Sequence, residues 1–81
     1  MANVQVNYFG SFRKFGDHIT LSMNNSNSIQ DIKSALIVHL GPQHKDLVDE
    51  SAMANETDIL PGDFLIKGDV VLSILPPVCG G

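Results

Sequence analysis

The stretch Val70-Val71-Leu72-Ser73-Ile74-Leu75-Pro76-Pro77 decides the architecture. A run rich in β-branched and aliphatic side chains, fenced by Gly68-Asp69 before and a diproline after, reads as a β-strand. Its apolar residues are nearly continuous, so the strand is expected to be covered on both faces and to lie centrally in its sheet. Pro76 and Pro77 end it, because proline lacks the ladder donor and holds the backbone extended. A central strand needs neighbours, and the preceding sequence supplies them.

Val4, Val6 and Tyr8 alternate with Asn3, Gln5 and Asn7, the period of a strand with one buried face. Phe9 to Gly16 reads as a glycine-bounded loop or turn. Ile19, Leu21 and Met23 then alternate with His18, Thr20 and Ser22, so the two runs are expected to form a hairpin. Asn24-Asn25-Ser26-Asn27 reads as a polar break. Ser28 is a helix N-cap with Asp31 in the first turn, and Ile29, Ile32, Leu36 and Leu40 form one helical stripe beside Ala35. Gly41-Pro42 stops that helix after about 12 residues, glycine closing it and proline unable to continue it. Residues 43–51 have room for one more helical turn, and Met53-Ala54-Asn55-Glu56 reads as a short strand. Pro61-Gly62-Asp63 and Gly68-Asp69 mark turns. One helix laid across one face of a small mixed sheet buries both apolar stripes. The expectation is an α+β roll of the β-grasp kind over residues 1–75, with the last strand beside the first and a C-terminal tail over residues 76–81.

Length and composition limit what such a chain does. Its 81 residues make one small domain with no cleft between lobes. Hydrophobic residues at 43% and charged residues at 17% place it among folded proteins rather than disordered tails. The net charge of −4, with only Arg13, Lys14, Lys33, Lys45 and Lys67 as scattered cations, argues against nucleic acid as a partner. Charge is uneven, +2 over residues 1–45 and −6 over residues 46–81. The acidic half either steers the protein toward a basic partner or simply keeps it soluble. One cysteine, Cys79, excludes an internal disulfide and suits a reducing compartment. No apolar run of about 18 residues predicts a membrane span, and Met1-Ala-Asn-Val lacks the basic and apolar regions of a signal peptide. A cytoplasmic location is therefore expected.

The chemistry is expected at the tail. The strand leads to a diproline and then to Gly80-Gly81, a thread without Cβ atoms that fits a narrow channel in another protein. The prolines stiffen its exit. A terminal carboxylate is a poor acyl donor until it is activated. As a mixed anhydride with AMP it gains a leaving group, and a sulfur nucleophile that displaces AMP leaves a thiocarboxylate. The plain alternative is an interaction module that happens to end in glycine.

The ending Pro76-Pro77-Val78-Cys79-Gly80-Gly81 resembles the signature of the MoaD/ThiS ubiquitin-like sulfur-carrier family, in the branch of the small subunit of molybdopterin synthase. The Gly68-Asp69 turn, the Ala54-Asn55-Glu56-Thr57 segment (similar to the family's Val-Asn segment) and Ser28-Ile29 at the helix start carry the rest of the likeness. The diproline favours the molybdopterin branch over the thiazole branch. The resemblance implies that Gly81 is the covalent carrier. A ubiquitin-activating-type enzyme would adenylate it with ATP and magnesium, and a cysteine-desulfurase or rhodanese-type donor would supply the sulfur. Gly80, Cys79, Val78, Pro77 and Pro76 would enter the large, catalytic subunit, where sulfur passes to cyclic pyranopterin monophosphate to build the molybdopterin dithiolene. Leu75 would belong to the docking patch. The resemblance further implies a non-catalytic subunit with no bound cofactor or metal, in a heterotetramer whose self-association belongs to the large subunit. Other Gly-Gly carriers, for thiamine thiazole or tRNA thiolation, and ubiquitin-like protein modifiers are the related alternatives.

The sequence departs from that family pattern at three places. Six residues, Val70 to Leu75, stand between the turn and the diproline where the family has five. The extra residue is expected to flip side-chain facing unless a bulge or a longer turn absorbs it. Lys14 follows Arg13 where the family often has an acidic residue. Cys79 replaces a Ser, Thr or Ala and reads as a small tail residue, with a persulfide or thioester site as the rival reading. His18, His39 and His44 lack metal-site spacing, the acidic residues form no calcium loop, and Phe9, Phe12, Phe15 and Phe64 read as core.

Overall fold

The computed structural model describes residues 2–77. Strand β1 (Ala2–Tyr8) leaves through a short 3-10 turn (Gly10–Phe15) and returns as β2 (His18–Met23), antiparallel with Ala2 opposite Met23 and Val6 opposite Ile19. A short strand β3 (Ser26–Ser28) leads into helix α1 (Ile29–Leu40). A 3-10 turn (Pro42–His44) and the six-residue helix α2 (Lys45–Glu50) follow, then β4 (Ala52–Ala54), β5 (Ile59–Leu60), β6 (Leu65–Lys67) and β7 (Val70–Leu75). The main sheet has the order β2-β1-β7-β4-β5, and β3 pairs with β6 in a separate two-stranded ribbon.

The last strand lies beside the first, as expected. β7 runs parallel to β1, from Val4 opposite Val70 to Tyr8 opposite Ile74, and antiparallel to β4 on its other side. The ladder advances residue for residue, so no bulge absorbs the sixth residue of β7 along its paired length. Leu75 and Ile74 therefore face opposite sides of the sheet.

Helix α1 starts and stops where its sequence directs. The Ser28 hydroxyl accepts a hydrogen bond from the Asp31 amide, while the Asp31 carboxylate accepts one from the Ser28 amide, each at 3.0 Å. These two bonds satisfy amides that the first turn leaves without intrahelical partners. At the other end Gly41 takes φ +112°, a value few side chains tolerate, and its amide donates to the Ile37 carbonyl. Ile29, Ile32 and Leu36 are wholly buried from the helix side. They share one buried core with Val4, Val6, Leu72, Ile74 and Met53 from the sheet, together with Val48 of α2 and Phe12 of the 3-10 turn. Lys33 ties α1 to the end of α2 by donating to the Ser51 carbonyl at 2.6 Å.

Four expectations are corrected. First, β7 is not covered on both faces. Leu72 and Ile74 are buried, but Val71 is 55% exposed, because the neighbouring β1 presents Asn3, Gln5 and Asn7 on that side and no helix covers it. Second, the polar break at residues 24–27 contains the start of β3. Asn27 is buried there and satisfies its side-chain amide on the Asn24 carbonyl. Third, the short strand stops at Ala54, because the Asn55 side-chain oxygen accepts from the Thr57 and Asp58 amides and folds the chain into a turn. Fourth, Phe9 and Phe64 are each 42% exposed, whereas Phe12 is buried and Phe15 half-buried beside Tyr8.

Candidate functional site

The open side of the main sheet can be read directly from the register. Alternation along β7 points Val71, Ser73 and Leu75 away from the helix. Leu75 stands opposite Ala52 of β4, Ser73 stands between Asn7 of β1 and Ala54 of β4, and Val71 stands beside Gln5 of β1. Beyond Ala54, Ile59 of β5 is 68% exposed. One half of this face is therefore apolar, with Ile59, Ala52, Val71 and Leu75. The other half is polar, with Asn3, Gln5, Asn7, Thr20 and Ser22. Two shallow depressions of about 440 and 410 Å³ flank the Val70-Val71 ridge, bounded by Gln5 and Thr20 on one side and by Asn55 and Thr57 on the other.

The chain leaves this face at the end of β7. Leu75, Pro76 and Pro77 are half-buried there, consecutive at the C-terminal end of the central strand. Val78, Cys79, Gly80 and Gly81, the remaining tail candidates, lie outside the described residues. Because β7 is parallel to β1, its exit lies at the same end of the sheet as the exit of β1. Pro76 accordingly sits against Gly10: a Cβ built on Gly10 would lie 2.6 Å from Pro76 Cγ and 3.2 Å from its Cδ.

The 3-10 turn that borders the exit is held by aromatic packing. Tyr8 stacks on Phe12 with centroids 6.3 Å apart, and Phe15 tilts against both. His44 meets the Phe15 ring edge-on at 4.9 Å, and Lys14 Nζ lies 5.3 Å from the same ring's centroid. Burial pushes the Tyr8 phenol above its ordinary value, because the phenolate would lose hydration. Arg13 pairs with Asp17 at 3.3 Å on the exposed outer side of the turn. The carboxylates of the acidic half are all exposed, Asp69 accepting the Asn3 amide at 2.8 Å. Among the described residues no group of three acidic, histidine or cysteine side chains is placed to hold a metal ion, and no helix is long and apolar enough to cross a membrane.

Sequence reasoning singled out Leu75 and the prolines but missed Val71, Ile59 and Gly10. The signal for Val71 was present: a strand paired in register with Asn3-x-Gln5-x-Asn7 cannot have its matching face covered by core. Ile59 and Gly10 depend on pairings that local sequence does not encode.

No family model matches the chain, and no curated protein matches it. Solved structures do. A Pyrococcus furiosus protein provisionally named molybdopterin converting factor, subunit 1, superposes with a TM-score of 0.81 at 20% identity, over 96% of this chain and 100% of that one. SAMP1 from Haloferax volcanii superposes with a TM-score of 0.76 at 14% identity, over 99% and 100%. ATBAG1, solved in complex with HSP70, superposes with a TM-score of 0.69 at 8% identity, over 98% of this chain but 42% of that one. At such identities the shared property is the backbone arrangement, and the chain has the ubiquitin-like β-grasp fold.

Proposed function

We propose that this protein is a sulfur carrier, the small subunit of a molybdopterin synthase, and that the Gly81 carboxylate is its reactive group. The observation that carries the reading is the exit of β7. A central strand, parallel to β1, delivers the chain through Leu75, Pro76 and Pro77 at the border of an open, half-apolar sheet face, and the sequence continues Val78-Cys79-Gly80-Gly81. Two proteins whose whole length superposes on this one, a molybdopterin converting factor subunit and SAMP1, support it.

The chemistry needs two partners. In a ubiquitin-activating-type enzyme, with ATP and magnesium, the Gly81 carboxylate oxygen attacks the α-phosphorus and pyrophosphate leaves. The outer sulfur of a persulfide on a cysteine-desulfurase or rhodanese-type donor then adds to the acyl carbon and AMP leaves, giving an acyl disulfide. A second thiol of the partner attacks the donor's sulfur, the S–S bond breaks, and the thiocarboxylate is released as that thiol and the donor form a disulfide. In the large synthase subunit, that sulfur passes to cyclic pyranopterin monophosphate. This chain contributes a slim tail, a stiff exit and a docking face. The catalytic side chains belong to the partners, so the protein acts as a cosubstrate rather than an enzyme, and its expected setting is a cytoplasmic heterotetramer. Cys79 serves as a small residue of the tail.

The test is intact-mass spectrometry of the protein after incubation with the adenylating enzyme, ATP, magnesium and hydrosulfide. Exchange of oxygen for sulfur adds about 16 Da, and fragmentation locates it at Gly81. A protein that stays at its starting mass, or carries the gain elsewhere, overturns the reading. Conversion of cyclic pyranopterin monophosphate by the loaded protein with the large subunit then separates the molybdopterin role from other Gly-Gly carriers and from protein modifiers.

A further inference from the structure

The contact between Gly10 and Pro76 has a geometry that local turn formation does not explain. Tyr8 stands opposite Ile74 in the parallel ladder, so Gly10 and Pro76 each lie two residues beyond that pair. Gly10 takes φ +56° and opens the 3-10 turn, which Phe12 anchors by packing into the core and donating its amide to the Phe9 carbonyl at 3.1 Å. A positive φ there favours glycine but admits Asn at modest cost. The second constraint admits no side chain. A Cβ at 2.6 Å from Pro76 Cγ, 3.2 Å from Cδ and 3.9 Å from Cβ overlaps the ring. An ordinary side chain would rotate away, but a pyrrolidine ring is closed on its own backbone nitrogen: a pucker flip shifts Cγ by less than an ångström and leaves Cδ nearly in place, so full relief requires the main chain to move.

We propose that Gly10 is a positioning residue for the carrier tail: its bare α-carbon is the seat on which Pro76 rests, and this seat sets the direction in which the chain leaves β7. The proposal rests on the carrier reading given above for its consequence, though not for its geometry. Pro76 and Pro77 form a stiff pair, so a displacement at Pro76 is passed on to the residues that follow rather than absorbed. A side chain at residue 10 tilts the exit and lowers the fraction of molecules whose tail points along the partner's channel. The loss then shows as a weaker apparent affinity for the activating enzyme rather than a slower chemical step, because the acyl carbon itself is unchanged.

The experiment is a double-mutant cycle on the full chain with Gly10→Ala, Pro76→Ala and both. Pro76→Ala removes Cγ and Cδ, so the backbone strain of Gly10→Ala persists in both backgrounds while the collision exists in one. Amide chemical shifts of residues 78–81 report the exit, and steady-state adenylation by the activating enzyme with ATP and hydrosulfide reports its use. Gly10→Ala is expected to move the tail shifts and to raise KM about three- to tenfold at nearly constant kcat when Pro76 is present, and to do neither in the Pro76→Ala background. Unchanged tail shifts on Gly10→Ala, or equal changes in both backgrounds, overturn the seat. If the wild-type protein takes up no sulfur, the carrier reading fails, while the shift cycle still decides the seat. Should Gly10→Ala fail to fold, its recovery in the double variant supports the collision, and failure of both variants overturns it.

Discussion

Ser28 and Asp31 cap helix α1 reciprocally, each side chain accepting the other's backbone amide at 3.0 Å. The helix they start carries Ile29, Ile32 and Leu36 into the core, so the cap fixes the register of the buried stripe as well as two hydrogen bonds. Ser28→Ala is expected to cost about 1 kcal/mol in urea unfolding, and Ser28→Asp to recover most of it.

The two faces of β7 should respond oppositely to truncation. Ile74→Ala opens a cavity under the helix and is expected to destabilise by about 2–5 kcal/mol. Val71→Ser, on the exposed face, is expected to change stability by less than about 1 kcal/mol and, under the proposed carrier function, to weaken capture by the large synthase subunit. Chemical denaturation and calorimetric titration of the same two variants separate packing from docking. Equal effects of both variants on stability would contradict the open face.

Under the proposed carrier function, removing Gly81 or adding one residue after it is expected to abolish thiocarboxylate formation and to leave the melting temperature within about one degree of wild type. Among the described residues the core cluster uses none after Ile74, so the fold is expected not to respond to a change at Gly81. Intact mass and a thermal melt on one sample provide the check.

Alkaline stability has a definite sign. The Tyr8 phenol is raised in the folded state by burial, so the folded protein holds that proton more tightly than the unfolded chain. The associated stabilisation is complete below the unfolded tyrosine value near 10 and declines as pH rises from there through the raised folded value. The Lys45 ammonium, raised by its hydrogen bond and charge pairing with Asp49, fades in the same direction but is fully exposed. Unfolding measured from pH 8 to 11 should therefore show a fall in stability that Tyr8→Phe largely removes.

Local sequence revealed much of this architecture because the main elements carry local signals. The alternation of Val4, Val6 and Tyr8 marks a half-buried strand, and Ser28 with Gly41 brackets the helix that the structure contains. What stayed hidden depends on partners distant in sequence. Asn24 to Asn27 reads as a polar break until Leu65–Lys67 pairs with Ser26–Ser28. The apolar run of β7 suggests cover on both sides until β1 and β4 are set beside it, whereupon Val71 and Leu75 join an outward face with Ile59. At the candidate site, the prolines were legible because their backbone restrictions are intrinsic. Gly10 was not, because only the parallel register carries it to Pro76.

The parallel pairing of β1 with β7 also governs when the molecule can exist. β7 follows every other described element in the chain, yet it fills the middle of the sheet, with β1 on one flank and β4 on the other. During synthesis Val4 and Val6 must wait for Leu72 before that layer closes, so earlier fragments retain exposed sheet edges. A chain that stops short of this segment would lack the strand with which both β1 and β4 pair, and would keep those edges open.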